Sequence, residues 1–149
     1  MNGRTLVALA LAFGCGIGVA HLPQGARAAT APVEPATIDL NAIGPDDFSA
    51  ANPATPNLRS KLLAIVDTTA FYYQQGFAPK HAHAATTEVQ LFLEGNGTEW
   101  LGDKQVAIKP GTVVIVPPNT PHAGLTGGPF RYYVVKTPPQ DPADYHVAP

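Results

Sequence analysis

The sequence predicts an all-β protein, a single antiparallel sandwich or barrel, and three observations carry that expectation. Sixteen prolines and fourteen glycines among 149 residues leave few windows for a long uninterrupted helix. Short aromatic and β-branched runs recur at intervals of roughly ten residues. Turn-forming pairs separate these runs, with no stretch that reads as a crossover helix. Charged residues make up 13% of the chain, about half the usual share, while hydrophobic residues at 45% are ordinary, which fits a compact globule rather than a disordered or coiled-coil chain.

The chain opens with a segment that has the features of a secretory signal peptide. Arg4 precedes an apolar run from Leu6 to Val19, and Ala26-Arg27-Ala28 gives the small-x-small pattern read before cleavage at Ala29. The run, broken by Gly14, Gly16 and Gly18, is shorter than the ~20 residues needed to span a bilayer. Arg4 stands alone, so no twin-arginine signal is present. The expectation is a periplasmic or secreted protein with residues 1–28 removed and no stable membrane insertion. Removal leaves seven basic against eleven acidic side chains, which excludes a basic face for nucleic acid. It also takes away Cys15, the only cysteine, so no internal disulfide or thiolate chemistry remains.

Residues 29–56 are rich in Ala, Pro, Asn and Asp without apolar periodicity and read as an extended arm. Leu58 to Leu63 fits either a helical turn or the start of a strand. From there the strand signals become regular: Thr69–Gln75, Glu88–Leu93, Val113–Val116 and Arg131–Lys136. Gly102-Asp103 fits a tight hairpin joining Thr98–Leu101 to Lys104–Ile108. The barrel is expected over 57–137, followed by a proline-rich extended tail at 138–149.

The histidines carry the chemical signal. His81 and His83 are one residue apart, so on a strand both leave the same face, about 6.6–6.8 Å apart at Cα, a span two imidazoles can close on one ion. Glu88 lies five residues past His83, the wrong parity for one straight strand, but Ala84 to Thr87 can turn or bulge and reset the facing. His122 follows the Pro117-Pro118-Asn119-Thr120-Pro121 turn and would arrive from another strand. His146 stands in the tail without partners and reads as a surface residue.

With those residues in place, the chain resembles the cupin family, whose first motif is G-x5-H-x-H-x3,4-E-x6-G and whose second is G-x5-P-x-G-x2-H-x3-N. Gly76, His81, His83, Glu88 and Gly95 follow the first, with one residue fewer between Gly76 and His81. Gly111, Pro117 and His122 follow the second, with Asn119 for its inner glycine and Thr126 for its final asparagine. Asn tolerates positive φ, so the turn can survive. The resemblance covers about residues 70–126 and implies a jelly-roll barrel with His81, His83, Glu88 and His122 as ligands of a divalent transition metal. Three imidazoles and a carboxylate suit Fe, Mn, Ni, Cu or Zn.

If Glu88 points inward, strand parity sends Gln90 and Phe92 inward too. Counting back from His81 gives Tyr73 and Phe71 the same facing, and one of Tyr132 and Tyr133 can enter the pocket. Tyr73, Gln90, Phe92 and Tyr132 are therefore the candidate pocket residues, while Glu94 and Glu99 are placed in turn or exposed positions. The resemblance implies a small-molecule ligand, with a dioxygenase-like metalloenzyme as the first expectation. A sugar-acid lyase or isomerase, with Glu88 as a possible base, and a non-catalytic binding module are the alternatives. The apolar stripe of Val89, Leu91, Leu93 and Val113 to Val116 predicts a homodimer.

Overall fold

The computed structural model describes residues 34–149. The expected leader and the first residues of the arm lie outside the described residues. Two five-stranded antiparallel sheets make up the fold. The strands are β1 (Leu58–Val66), β2 (Thr69–Gly76), β3 (His81–Ala82), β4 (Thr87–Glu94), β5 (Gly97–Leu101), β6 (Lys104–Ile108), β7 (Val113–Val116), β8 (His122–Gly127), β9 (Arg131–Thr137) and β10 (His146–Val147). One sheet runs β1-β2-β9-β4-β7 and the other β10-β3-β8-β5-β6. The jelly-roll expectation is thus met, and the segment left open at Leu58–Leu63 is the edge strand β1.

Alternation along the strands builds the core. On β4, Glu88, Gln90 and Phe92 are buried while Val89 and Leu91 are only half-buried, and on β7 the buried residues are Val114 and Val116. Phe92, Val114, Val116, Tyr132 and Val134 from the first sheet meet Ile108 and Leu125 from the second in one cluster. Two of the seven residues of the expected apolar stripe are therefore core. Val114 and Val116 face inward, and Val113 and Ile115 keep 55% and 61% of their surface exposed on the outer face.

Part of that outer face is covered by the arm. Two short 3-10 turns, Leu40–Ala42 and Pro45–Asp47, bring Ile43 and Phe48 down onto Tyr73, with Leu40 and Leu63 beside them. Asp39 starts the first turn by accepting from Asn41 N–H at 2.9 Å. The Phe48 and Tyr73 rings lie 5.6 Å apart.

Two backbone positions set the entry to the site. Gly76 ends β2 at φ +89°, where an added Cβ would stand 1.9 Å from the Asn57 carbonyl oxygen, so only glycine lets the chain leave the first sheet there. Asn119 takes φ 62° in the turn before β8, as its replacement of glycine requires.

Candidate metal centre

The crossing after Gly76 carries the chain from one sheet to the other, so His81 opens β3 in the second sheet. His83 lies just past its end, and Glu88 returns to the first sheet on β4. His122 starts β8 and is the cross-strand partner of His81. Histidines from one sheet and a carboxylate from the other thus converge between the layers. All three imidazoles are buried, and one nitrogen from each lies within 4.8 Å of the others.

Hydrogen bonds fix which nitrogens are bare. Nδ1 of His81 donates to the Pro79 carbonyl at 2.8 Å, Nδ1 of His122 to Thr120 at 3.0 Å and Nδ1 of His83 to Asp144 at 2.5 Å. A carbonyl only accepts, so each proton belongs on Nδ1 and each Nε2 offers a lone pair. The Nε2 atoms of His83 and His122 are buried without a hydrogen-bond partner. Burial first, then the neighbouring His122 and His83, push the His81 imidazolium down to about 3, so its ring is neutral at neutral pH. Bare, buried, convergent imidazole nitrogens fit a metal ion and leave no other obvious role.

Glu88, the expected fourth ligand, lies beside two of the histidines but outside the group of three whose donor atoms all fall within 4.8 Å of one another. Its Oε2 lies 3.5 Å from His83 Nε2 and 3.7 Å from His122 Nε2, and Gln90 Nε2 donates to its Oε1 at 2.9 Å. The same Oε2 meets the Lys136 ammonium at 2.9 Å, the two residues being opposite each other on β4 and β9. Burial opposes ionisation of Glu88, but the Lys136 charge and the histidines outweigh it and hold the carboxyl well below its ordinary range.

A cavity of about 460 Å³ opens onto this cluster, with His81, Glu88 and Lys136 in its lining. Ser60, Tyr72, Gln74, Gln90, Tyr132, Gln140 and Tyr145 line it as well, and Leu58, Ala78, Ala123 and Pro142 add apolar wall, so its surface mixes polar and apolar groups. The volume suits a small metabolite.

Comparison with known proteins gives the family and agrees with the fold. The AraC-like ligand binding domain matches residues 64–148, more than half of the chain. The chain is a cupin of this AraC-like ligand-binding family. No curated protein matches its sequence. Among solved structures, the cupin-2 domain Rru_A2000 from Rhodospirillum rubrum aligns with a TM-score of 0.60 at 15% identity, over 80% of this chain and 85% of that one. KdgF from a Halomonas species aligns at 0.57 and 16% identity, over 64% and 88%. Streptomyces Pac13, a nucleoside dehydratase also solved with uridine, aligns at 0.54 and 15%, over 69% and 89%. These cupin barrels share the fold.

Within the cupin barrel the expected pocket residues divide. Gln90 and Tyr132 line the cavity, but Tyr73 and Phe92 do not. Tyr73 faces outward under the arm, because residues 77–80 cross between sheets and the strand parity counted back from His81 does not survive the crossing. Its strand neighbours Tyr72 and Gln74 face the cavity instead. Tyr133, opposite Tyr73 in the ladder, and Phe71 line an outer groove. Phe92 points inward as expected but is core, with its ring 5.0 Å from Tyr132 and 5.9 Å from Phe130.

Lys136, Glu99 and the tail were not anticipated at the site. Lys136 had a signal, since the alternation that turns Tyr132 inward on β9 does the same for Lys136. Glu99, expected to be exposed or in a turn, is 1% exposed on β5. Its Oε1 accepts from Ala123 N–H at 3.1 Å and its Oε2 is buried without a partner. Burial, aided by the charge on Glu88, raises its carboxyl to about 7. The folded state therefore binds this proton more tightly than the unfolded chain, and stability is lost as pH rises from 4.5 towards 7. That loss is on the order of 3 kcal/mol. Glu99→Gln, which keeps an oxygen for Ala123, is expected to abolish it. Urea melts of metal-free protein at pH 5 and pH 7.5 check this, and a wild type and variant with equal pH slopes would count against it. The tail, expected to be merely extended, pairs His146 and Val147 with Ala82 and His81, and Tyr145 stacks on the His81 ring at 4.3 Å. The His146 side chain itself stays 59% exposed.

Proposed function

We propose that the protein is an exported, metal-dependent cupin enzyme acting on a small, oxygen-rich anion. The observation that carries the reading is the convergence of three buried imidazoles beside Glu88, two of them with an unpartnered Nε2, where His81 and Glu88 line a cavity. A divalent ion held by His81, His83, His122 and Glu88 would supply Lewis-acid polarisation of a ligand oxygen. Its identity falls among Fe, Mn, Ni, Cu and Zn.

Charge defines the ligand. Ligating imidazoles are neutral and Glu88 cancels Lys136, so a divalent ion leaves the cavity positive, and its other lining side chains are uncharged. A carboxylate on the ligand offsets that excess, and Ser60, Tyr72, Gln74 and Tyr132 offer hydrogen bonds to hydroxyl groups. The Tyr132 hydroxyl stays protonated, because burial and then the neighbouring Glu88 and Glu99 raise its pKa well above the ordinary value.

The acid–base groups favour lyase or isomerase chemistry over the dioxygenase-like reading. Glu88 is oriented by Gln90 and is a weak base while Lys136 pairs with it. A ligand carboxylate that draws the ammonium away raises the proton affinity of Glu88. Once a ligand oxygen also takes its place on the ion, Glu88 can take a proton from the carbon beside the carboxylate and return it to the product. That the same barrel serves the nucleoside dehydratase Pac13 is compatible with elimination chemistry here. The dioxygenase-like reading keeps its support from the three-histidine donor set, which also suits iron.

Metal-loaded protein incubated with uronates and hydroxy acids in D2O, followed by NMR with a parallel oxygen electrode, separates the readings. Deuterium entering next to the carboxylate without oxygen uptake is the expected result. Oxygen uptake would favour the dioxygenase, and tight binding with neither change a non-catalytic module. Export and assembly belong to the same proposal, with a second copy covering the outer face around Val113 and Ile115. Denaturing and native mass spectrometry of protein from its own host should give a chain starting near Ala29 and a native mass of two such chains. A full-length monomer would contradict both.

A further inference from the structure

Two of the three histidines are held by carbonyls within their own turn. His81 uses Pro79 and His122 uses Thr120, each two residues before the ring. His83 differs, for its Nδ1 partner is the carbonyl of Asp144, 61 residues away in the tail. His83 also lies beyond the end of β3, outside the strand ladder. Its orientation therefore depends on a distant segment.

We propose that Asp144 is a positioning residue for His83, clamping its ring from the C-terminal strap. Asp144 holds the loop after His83 with both ends of its carboxylate, one oxygen accepting from Ala84 N–H at 2.5 Å and the other from Ala85 N–H at 3.1 Å. One residue thus binds the ring through its carbonyl and the next two peptide groups through its side chain. Asp144 is itself fixed. Its N–H donates to the Asp141 carbonyl at 2.8 Å, and Asp141 Oδ1 accepts from Ala143 N–H at 2.8 Å. Immediately beyond, β10 pairs with β3, Ala148 N–H donates to the Lys80 carbonyl at 3.0 Å, and Lys80 Nζ reaches the Pro149 carbonyl at 2.9 Å. Tyr145, next to Asp144, covers the His81 ring, so the strap touches two of the three imidazoles.

The inference rests on the metal-centre reading for its consequence, but the clamp itself can be read without metal. In metal-free full-length protein, long-range 1H–15N NMR should show His83 as a single Nδ1–H tautomer. Asp144→Ala keeps the backbone carbonyl but loses the side-chain bonds to Ala84 and Ala85 that hold it against the ring, so His83 should become a tautomer mixture while His81 and His122 keep theirs, a change that general destabilisation does not produce. Co(II) titration of the same proteins should show affinity falling 10- to 100-fold in Asp144→Ala, the usual cost of removing support behind a ligand, with an altered visible spectrum. Asp144→Asn retains one acceptor for Ala84 and is expected to lose less, and it serves where the alanine variant does not fold. A His83 tautomer and Co(II) affinity unchanged in both variants overturn the proposal. Averaging at His83 with no Co(II) binding by wild type upholds the clamp and defeats the metal reading instead.

Discussion

His122→Ala is expected to empty the metal centre. His122 has no exposed surface, its ring lies 4.3 Å from His81 and 5.2 Å from His83, and its Nε2 has no hydrogen-bond partner. Losing one of three imidazoles is expected to weaken divalent-ion binding by more than about 100-fold, beyond the 10- to 100-fold typical of supporting residues. His81→Ala and His83→Ala should behave alike. Glu88→Gln should lose less, because its oxygen is the donor that water or a ligand oxygen can replace. His146→Ala should bind nearly as wild type, since its exposed ring lies outside the cluster and reaches it only through the Asp144 carboxylate at 3.4 Å. Elemental analysis after dialysis, with circular dichroism to confirm folding, checks the series. Full occupancy in His122→Ala would remove that residue from the ligand set.

Lys136→Met is expected to be the most destabilising change to metal-free protein. Lys136 and Glu88 are 7% and 3% exposed and pair at 2.9 Å, so removing the ammonium leaves a carboxylate buried without its compensating charge. Breaking such a pair costs about 3–5 kcal/mol, whereas replacing both charges costs far less. Glu88→Gln combined with Lys136→Met should therefore recover most of the loss, and divalent metal should partly restore the single variant by supplying positive charge beside Glu88. The pH dependence has a definite sign. Because the folded pKa of Glu88 lies below 4.5, the stability it contributes is present above that value and is lost as pH falls through the folded pKa. Thermal melts of the two variants and wild type between pH 3 and 7, with and without metal, check this. A single variant as stable as the double variant would contradict it.

The parts of this fold legible in the sequence are those set by neighbouring residues. Gly102-Asp103 joins β5 to β6, the Val113–Val116 run is β7 from end to end, and β4 places Glu88, Gln90 and Phe92 on one buried face by simple alternation. Alternation failed where the chain changed sheet. Tyr73 and His81 look related by count, but the crossing through residues 77–80 separates them, and Tyr73 packs under Phe48. Glu99 was misread because nothing nearby marks a carboxyl for burial. Its burial depends on β5 lying between β6 and β8 and on the Ala123 peptide group across the ladder. Asp144 and Tyr145 were hidden for the same reason, as their partners are about sixty residues away.

The most direct measurement is metal-edge X-ray absorption on protein loaded with one equivalent of Ni(II) or Zn(II), with His122→Ala alongside. Three imidazole nitrogens in the first shell of wild type, falling to two or to an unbound ion in the variant, are the expected result. An ion with one imidazole or none, or a wild type that retains no metal after dialysis, would contradict the convergence of His81, His83 and His122 on a single site.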